Sequence, residues 1–333
     1  MKKKVLITYN LLKEGFEELA EHFELIFPPR DVFSREELFT YIKDCDALLS
    51  MFNLDVKKDL IDAAEKLQII ANYGVGYNNI DVDHARQKGI VVTNTPDPVV
   101  EPTAELAFAL MAAVARRIAE CDRKLRLPNE IRWGILENLG CGLYGKNLGI
   151  IGMGRIGQAL ARRAAAAGMK IYYYNRKRLD REIEKKYNAT YCPFNDLLAS
   201  SDYISLNIPL TSETHHLIGE KELNRIKKGA FIINTARGAV VDEKALIQSL
   251  QTGRLGGAAL DVYEHEPQIS PELLTMDNVV LSPHNGTATI AGRIAMNKYA
   301  AENIIRFFQG RELLSIVGDS NCKVATFPTA YKG

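Results

Sequence analysis

The sequence predicts an α/β protein made of two parallel-sheet domains, and three observations predict it. Short apolar runs alternate with amphipathic, helix-like runs along the chain, the pattern of strands joined by crossover helices. The chain has 333 residues, enough for two domains of ordinary size. Near the middle, the apolar run Asn147-Leu148-Gly149-Ile150-Ile151 leads into Gly152-Met153-Gly154-Arg155-Ile156-Gly157 and then a helical run over 158–169. That succession of strand, glycine turn and helix is a βα unit.

Taken in order, the first hundred residues offer strands at 5–9, 24–27, 47–51, 68–71 and 90–93, with helical runs between them such as 58–66. Pro96 and Pro98 then exclude regular helix. A run over 103–117, nearly all Ala, Leu and Phe, reads as a buried helix, expected to lie between the domains. A second βα series follows, with strands at 147–152, 170–175, 202–208, 230–236, 256–263 and 279–283. A last long helix over 287–308 would return the chain to the first domain. The expected organisation is therefore a substrate-binding domain from 1–99 plus 288–333 and a dinucleotide-binding domain from 100–287. Both would be Rossmann-like or flavodoxin-like parallel sheets, with a ligand cleft between them.

The composition, 47% hydrophobic and 25% charged, is that of an ordinary soluble globular protein. A net charge of +1 gives no support to a nucleic-acid or anionic-membrane partner. Apolar stretches such as 106–115 are too short to span a bilayer. The basic start, Met1 to Thr8, reads as a first strand and not a signal peptide. The five cysteines, Cys45, Cys121, Cys141, Cys192 and Cys322, are scattered and form no C-x-x-C pair. They predict reduced thiols in the cytoplasm, no disulfide framework and no metal site.

The glycine loop is what a dinucleotide pyrophosphate needs. The first glycine permits a tight turn, the second lets phosphates approach the backbone, and the third allows close helix–strand packing. The helix N-terminus offers free N–H groups and partial positive charge. Gly152, Gly154, Arg155 and Ile156 are thus candidate cofactor residues. The next strand, 170–175, ends at Asn175-Arg176-Lys177-Arg178. An NAD site usually has Asp or Glu here, about 20 residues past the glycines, to accept from the ribose. Neutral Asn175, followed by Arg176 and Lys177, favours the 2′-phosphate of NADP. Asn175 can still hydrogen-bond a bare ribose, so NAD is compatible as well.

Three titratable residues follow strand-like runs of the second series: Arg237 after 231–236, Glu266 after 258–263 and His284 after 279–283. Carboxyl ends of parallel strands converge on one crevice. Reduction of a 2-oxo acid needs a fixed cation for the carboxylate, which Arg supplies. It needs an acid near neutral pH, which His supplies, and a carboxylate that orients the imidazole and favours its protonated form.

On these residues the chain resembles the D-isomer-specific 2-hydroxyacid dehydrogenases. The resemblance covers about residues 45 to 310. It rests on Asn72-Tyr73-Gly74-Val75-Gly76-Tyr77-Asn78-Asn79-Ile80-Asp81, Glu101-Pro102-Thr103-Ala104-Glu105, the glycine loop, Pro209-Leu210-Thr211, Asn234-Thr235-Ala236-Arg237-Gly238, Asp261-Val262-Tyr263-Glu264-His265-Glu266-Pro267 and Ser282-Pro283-His284. By resemblance Arg237, Glu266 and His284 are catalytic. His284 is the acid/base, and Glu266 is its partner in preference to Glu264, because the family places the carboxylate directly before the proline. Tyr73, Gly74, Val75 and Gly76 would hold the substrate carboxylate, with Met51, Phe52, Asn53 and Trp133 as further pocket candidates. Thr103, Ile208, Pro209, Thr214, Thr235, Ala236, Asp261 and Gly286 match cofactor-lining positions, Asp261 at the nicotinamide end. The family's usual Asp at the end of the second strand is Asn175 here.

The resemblance implies NAD(P)H-dependent reduction of glyoxylate, hydroxypyruvate or pyruvate to D-2-hydroxy acids by a homodimer, and the basic turn Asn175-Arg176-Lys177 puts glyoxylate/hydroxypyruvate reductase first. A D-lactate dehydrogenase using NADH is the runner-up. A non-catalytic nicotinamide-sensing regulatory protein is the rival from another class. Formate dehydrogenase is set aside because its pattern has glutamine where Glu266 stands.

Overall fold

The computed structural model of the protein describes residues 2–51 and 54–318; the pocket candidates Phe52 and Asn53, and Cys322, lie outside the described residues. The chain forms two compact units, Met1–Val99 with Thr287–Gly333, and Val100–Gly286.

The first unit holds a five-stranded, all-parallel sheet of β1 (Lys3–Ile7), β2 (Phe23–Ile26), β3 (Ala47–Ser50), β4 (Ile69–Asn72) and β5 (Val91–Thr93). Its order is β2-β1-β3-β4-β5, the flavodoxin-like arrangement. Parallel strands are buried on both faces, so they read as unbroken apolar runs, here Val5-Leu6-Ile7 and Ile69-Ile70-Ala71. One face packs Val5, Ile7, Leu49 and Ile69 against Leu19, Met296, Ala300 and Ile304. The other packs Leu6, Leu48, Ile70 and Val92 against Leu38, Ile42, Leu60 and Ile61. Met296 to Ile304 belong to helix Ile290–Phe308. It starts later than the predicted 287 because the Thr289 hydroxyl accepts from Gly292 N, 3.0 Å, and so caps it.

The second unit holds a seven-stranded parallel sheet of β6 (Asn147–Ile151), β7 (Lys170–Tyr174), β8 (Ala189–Tyr191), β9 (Tyr203–Leu206), β10 (Phe231–Asn234), β11 (Gly257–Leu260) and β12 (Val279–Leu281). The order β12-β11-β10-β9-β6-β7-β8 is Rossmann-like, and the succession reverses between β6 and β9. At such a switch point the loops leave in opposite directions and open a crevice. The three-residue edge strand β8 was not anticipated; Ala-Thr-Tyr is too short to carry a period. Predicted strands at 202–208, 230–236 and 256–263 run past the observed ends. The extra residues include apolar Ile208, Ala236, Val262 and Tyr263, but they leave the ladder to form the site loops.

Helix Val100–Ala115 starts earlier than the predicted 103. Pro102 sits in its first turn, where no intrahelical N–H partner is lost. Ala104, Ala107, Met111 and Val114 pack with Leu148, Ile150, Ala161 and Ile233 in one core. Among the described residues, no helix is long and apolar enough to cross a membrane, and Cys45, Cys121, Cys141 and Cys192 are unpaired thiols. Burial pushes the Cys45 thiol up to about 11.

Candidate active site

The glycine loop lies at the carboxyl end of β6, on the switch-point side. Gly152 has φ 95°, a region closed to most L-residues. A Cβ there would lie 2.4 Å from Asn207 O. Gly157 sits in helix Arg155–Ala166, where a Cβ would lie 2.3 Å from Gly152 O; only hydrogen lets the helix pack this close. Gly154 is different. Nothing lies within 4 Å of its Cβ position, and as the helix N-cap it provides no side-chain cap. With no capping side chain, this helix end is open to an outside acceptor such as a phosphate. The helix begins at Arg155, three residues before the predicted start, because Gly154 turns the chain directly into it. An open second glycine between two tightly packed ones is the form a pyrophosphate requires.

Asn175 directly follows β7 and points back at this loop: its Oδ1 accepts from Met153 N, 2.7 Å. The carbonyl end of the amide thus fixes the loop, and the other end is a donor. Of the three following cations, Arg178 is tied by two 2.8 Å bonds to Glu184. Arg176 and Lys177 are exposed.

Other cofactor candidates fall around the same strand ends. A Cβ at Gly152 would lie 2.7 Å from Ile208 Cγ2. Thr214 Oγ1 donates to Pro209 O, 2.6 Å, and accepts from Thr211 N, 2.7 Å, closing the 209–214 turn. Its hydroxyl is therefore a brace of the loop. Thr235 Oγ1 is sealed with no hydrogen-bond partner among the described residues. Asp261, 1% exposed, accepts from Asn285 N at 2.6 Å and Gly286 N at 2.8 Å. Burial raises its pKa, against which the two N–H groups work. A Cβ at Gly286 would sit 3.5 Å from Thr103 Oγ1 and 3.3 Å from Asp261 Oδ2, so Thr103, Asp261 and Gly286 form one cluster.

His284 follows β12 with φ 54°. A non-glycine residue there costs roughly 1–3 kcal/mol, and such strained residues cluster at functional sites. Its N–H is held by Asp261 O, 2.9 Å, and Ser282 O, 3.1 Å. Its Nδ1 lies 2.8 Å from Glu266 Oε2. The other Glu266 oxygen accepts from Tyr263 N, 3.0 Å. Burial would raise the Glu266 carboxyl, but His284, the Tyr263 N–H and the Arg237 charge outweigh it and hold the group below its usual range. Arg237 follows β10 and donates from Nη1 to Ala236 O, 2.6 Å. Burial lowers its pKa and the Glu266 charge opposes that, so Arg237 stays charged. The structure thus gathers Arg237, Glu266 and His284. Glu264 is engaged elsewhere, 2.7 Å from His216 Nε2 and bonded to Glu243 N.

Three features escaped the sequence reading. Asn234 accepts from Ala236 N, 3.0 Å, and donates to Arg237 O, 2.9 Å, fixing the turn that carries Arg237. His215, His216 and Glu264 come together with ligand atoms within 4.8 Å of one another, where no metal-binding cluster was expected. Each Glu264 oxygen already meets one partner, Oε1 the His216 ring and Oε2 the Glu243 N–H, so the group acts as a polar brace. In the first unit, Asn72 and Asn94 hold the loop after β4. In the sequence Asn72 and Asn234 are marked by opening two of the quoted motifs, each as an Asn before a turn.

In that first unit, Tyr73 is buried with its hydroxyl on Arg293 O, 2.9 Å, and burial pushes it up to about 12. Gly74, Val75 and Gly76 form a partly exposed turn, and Val75 is 40% exposed. Met51 is 5% exposed and packs in the apolar core with Tyr73, which makes it a wall behind the turn. Trp133 is 87% exposed.

A family model described as "D-isomer specific 2-hydroxyacid dehydrogenase, NAD binding domain" matches residues 108–286. A glyoxylate reductase of Thermococcus litoralis is 48% identical over 320 residues, covering 93% of this chain and 95% of that protein. The crystal structure of a glyoxylate reductase from Paecilomyes thermophila has a TM-score of 0.85 at 36% identity, covering 95% and 98%. That of an NADPH-dependent glyoxylate/hydroxypyruvate reductase from Sinorhizobium meliloti, in complex with NADP and malonate, has a TM-score of 0.84 at 31% identity, covering 98% and 100%.

Proposed function

The chain belongs to the D-isomer-specific 2-hydroxyacid dehydrogenase family and is an NAD(P)-dependent oxidoreductase; on that footing we propose that it reduces glyoxylate, and with it hydroxypyruvate and pyruvate, using NADPH in preference to NADH. The observation that carries this reading is the 2.8 Å pair of His284 and Glu266 with Arg237, all at carboxyl ends of neighbouring strands.

When bound, the reduced nicotinamide supplies the hydride to C2 of the oxo acid. The open face at Gly154, the uncapped helix N-terminus and the Thr103–Asp261–Gly286 cluster are residues that fit this cofactor. Arg237, charged and desolvated, attracts the substrate carboxylate and polarises the carbonyl. His284, protonated, gives its proton to the oxygen as negative charge develops there. Glu266 holds the imidazole through Nδ1 and compensates the imidazolium charge, and Nε2 is the nitrogen that carries the transferred proton. The backbone N–H groups of Val75 and Gly76 in the Gly74-Val75-Gly76 turn hold the carboxylate, and buried Tyr73 and Met51 back the turn.

The preference for NADPH is supported by three features. Asn175 presents a donor where a carboxylate would repel a 2′-phosphate. Arg176 and Lys177 are exposed beside it. The Sinorhizobium relative was solved with NADP. Initial rates with glyoxylate, hydroxypyruvate and pyruvate, each with NADPH and NADH, test the proposal. NADPH with glyoxylate or hydroxypyruvate should lead by about tenfold, as one charge-assisted contact of roughly 1.4 kcal/mol would give. Exchanging Arg176 and Lys177 for alanine should raise the NADPH KM about tenfold and leave the NADH KM within twofold. A lead of NADH with pyruvate would mean a D-lactate dehydrogenase whose basic turn is merely solvated.

A homodimer is part of the same proposal. Trp133, Ile135, Leu136, Leu139 and Tyr144 are all more than 60% exposed along one segment, and such a run is costly to leave in water. A second copy of the chain would cover it. Sedimentation should show a dimer that Trp133→Ser with Leu136→Ser weakens; a wild-type monomer at micromolar concentration would remove this part of the proposal.

A further inference from the structure

We infer that Asn72 and Asn94 are positioning residues that turn the backbone N–H groups of Val75 and Gly76 outward to take the substrate carboxylate. The inference rests on the reading of the Gly74–Gly76 turn given above.

Three successive carbonyls of this turn are held by side-chain amides. Asn72 Nδ2 donates to Gly74 O, 3.1 Å, and to Gly76 O, 2.8 Å. Asn94 Nδ2 donates to Val75 O, 2.9 Å. Thr95 N adds a second bond to Gly74 O, 3.0 Å. In a planar trans peptide the C=O of one residue and the N–H of the next point in opposite directions. Fixing the oxygens of Gly74 and Val75 therefore fixes the N–H groups of Val75 and Gly76 the other way. Neither N–H has a hydrogen-bond partner among the described residues. Parallel donors on adjacent residues form an anion nest.

The two clamps are themselves anchored. Asn72 ends β4 and is 1% exposed. Both of its targets are carbonyls, so the amide nitrogen must face them. That orientation leaves Asn72 Oδ1 buried without a partner among the described residues, an unfavourable arrangement for a residue that only fills space. Asn94 is bound at both backbone groups by the Ser315 hydroxyl, at 3.2 and 2.6 Å. Ser315 in turn lies 3.4 Å from Asn303 Nδ2. Gly74 has φ 155°, a backbone conformation that L side chains rarely adopt.

The test is Asn72→Ala in the full-length protein, read in three ways. The glyoxylate KM should rise about thirtyfold and kcat should change less than threefold. The NADPH dissociation constant should stay within twofold. Oxalate, a non-reducible dicarboxylate, should bind the NADPH-loaded variant about thirtyfold more weakly, read by cofactor fluorescence. Asn94→Ala releases one carbonyl only and should give a rise of about fivefold. It also serves if Asn72→Ala does not fold. Asn72→Asp keeps the shape and loses the donors, and should bind oxalate no better than Asn72→Ala. Unchanged glyoxylate KM and oxalate affinity in the variants would overturn the inference while leaving the oxo-acid reductase reading intact. A wild type that neither reduces glyoxylate nor binds oxalate would remove that reading and this one together.

Discussion

Replacing His284 with glutamine should lower kcat for 2-oxo acid reduction by about 10³-fold, within the range of positioned general acids, and change NADPH affinity less than threefold. Without the imidazole the developing alkoxide has no acid beside it, and only Arg237 remains to stabilise the charge. Glutamine can still meet Glu266 Oε2, so the φ 54° turn held by Asp261 O and Ser282 O keeps a side chain of similar reach. Glu266→Gln gives the complementary result. Removing the carboxylate 2.8 Å from Nδ1 takes away the group that orients the imidazole and compensates its charge, and should lower kcat about tenfold or more. The Glu266 carboxyl is held below its usual range, so its contribution to stability is complete above the unfolded-state pKa. It is lost only as pH falls through the lower, folded-state value. A steady-state pH profile of wild type and both variants checks all of this; equal kcat in wild type and His284→Gln would exclude His284 as the acid.

Gly238→Ala should cost about 3 kcal/mol or more of stability, as overpacking against rigid backbone does, and lower kcat/KM by about 10²-fold or more. A Cβ at Gly238 would stand 1.9 Å from Tyr263 C and 2.0 Å from Tyr263 O. These are backbone atoms, and no rotamer relieves the overlap. Gly238 adjoins Arg237, and Tyr263 donates its N–H to Glu266, 3.0 Å. One methyl group would thus force apart the turn that carries the cation and the turn that carries the carboxylate. Thermal unfolding together with kcat/KM checks it. A variant with wild-type Tm and kcat/KM would show that the two turns tolerate separation. The contrast is Gly154→Ala, which meets nothing within 4 Å and should leave the Tm unchanged.

Much of this site is visible in the sequence because its chemistry demands particular residue types at strand ends. The glycine loop announces itself: turn, phosphate approach and helix packing each forbid a Cβ for a separate reason, and they do so within six residues. Arg237, Glu266 and His284 each follow an apolar run, so the rule that parallel strands end in one crevice was enough to group them. The preference for Glu266 over Glu264 rested on resemblance alone. In the structure, Glu266 meets His284 while Glu264 is bound to His216 and Glu243 N.

The sequence by itself determined the two parallel-sheet units, because buried parallel strands must be continuously apolar and crossover helices amphipathic. It also named the kinds of group the proposed reaction needs. Only the tertiary structure decided strand order, the edge strand β8 and the partners of each polar side chain. It alone showed that Asn175 faces the glycine loop, that Arg178 is tied to Glu184 and that Asn72 and Asn234 fix the turns of the site. The physical reason is one of range. Periodicity and glycine requirements act over a few neighbouring residues, whereas a hydrogen bond such as Met153 N to Asn175 Oδ1 joins residues brought within 2.7 Å only by the register of β6 against β7.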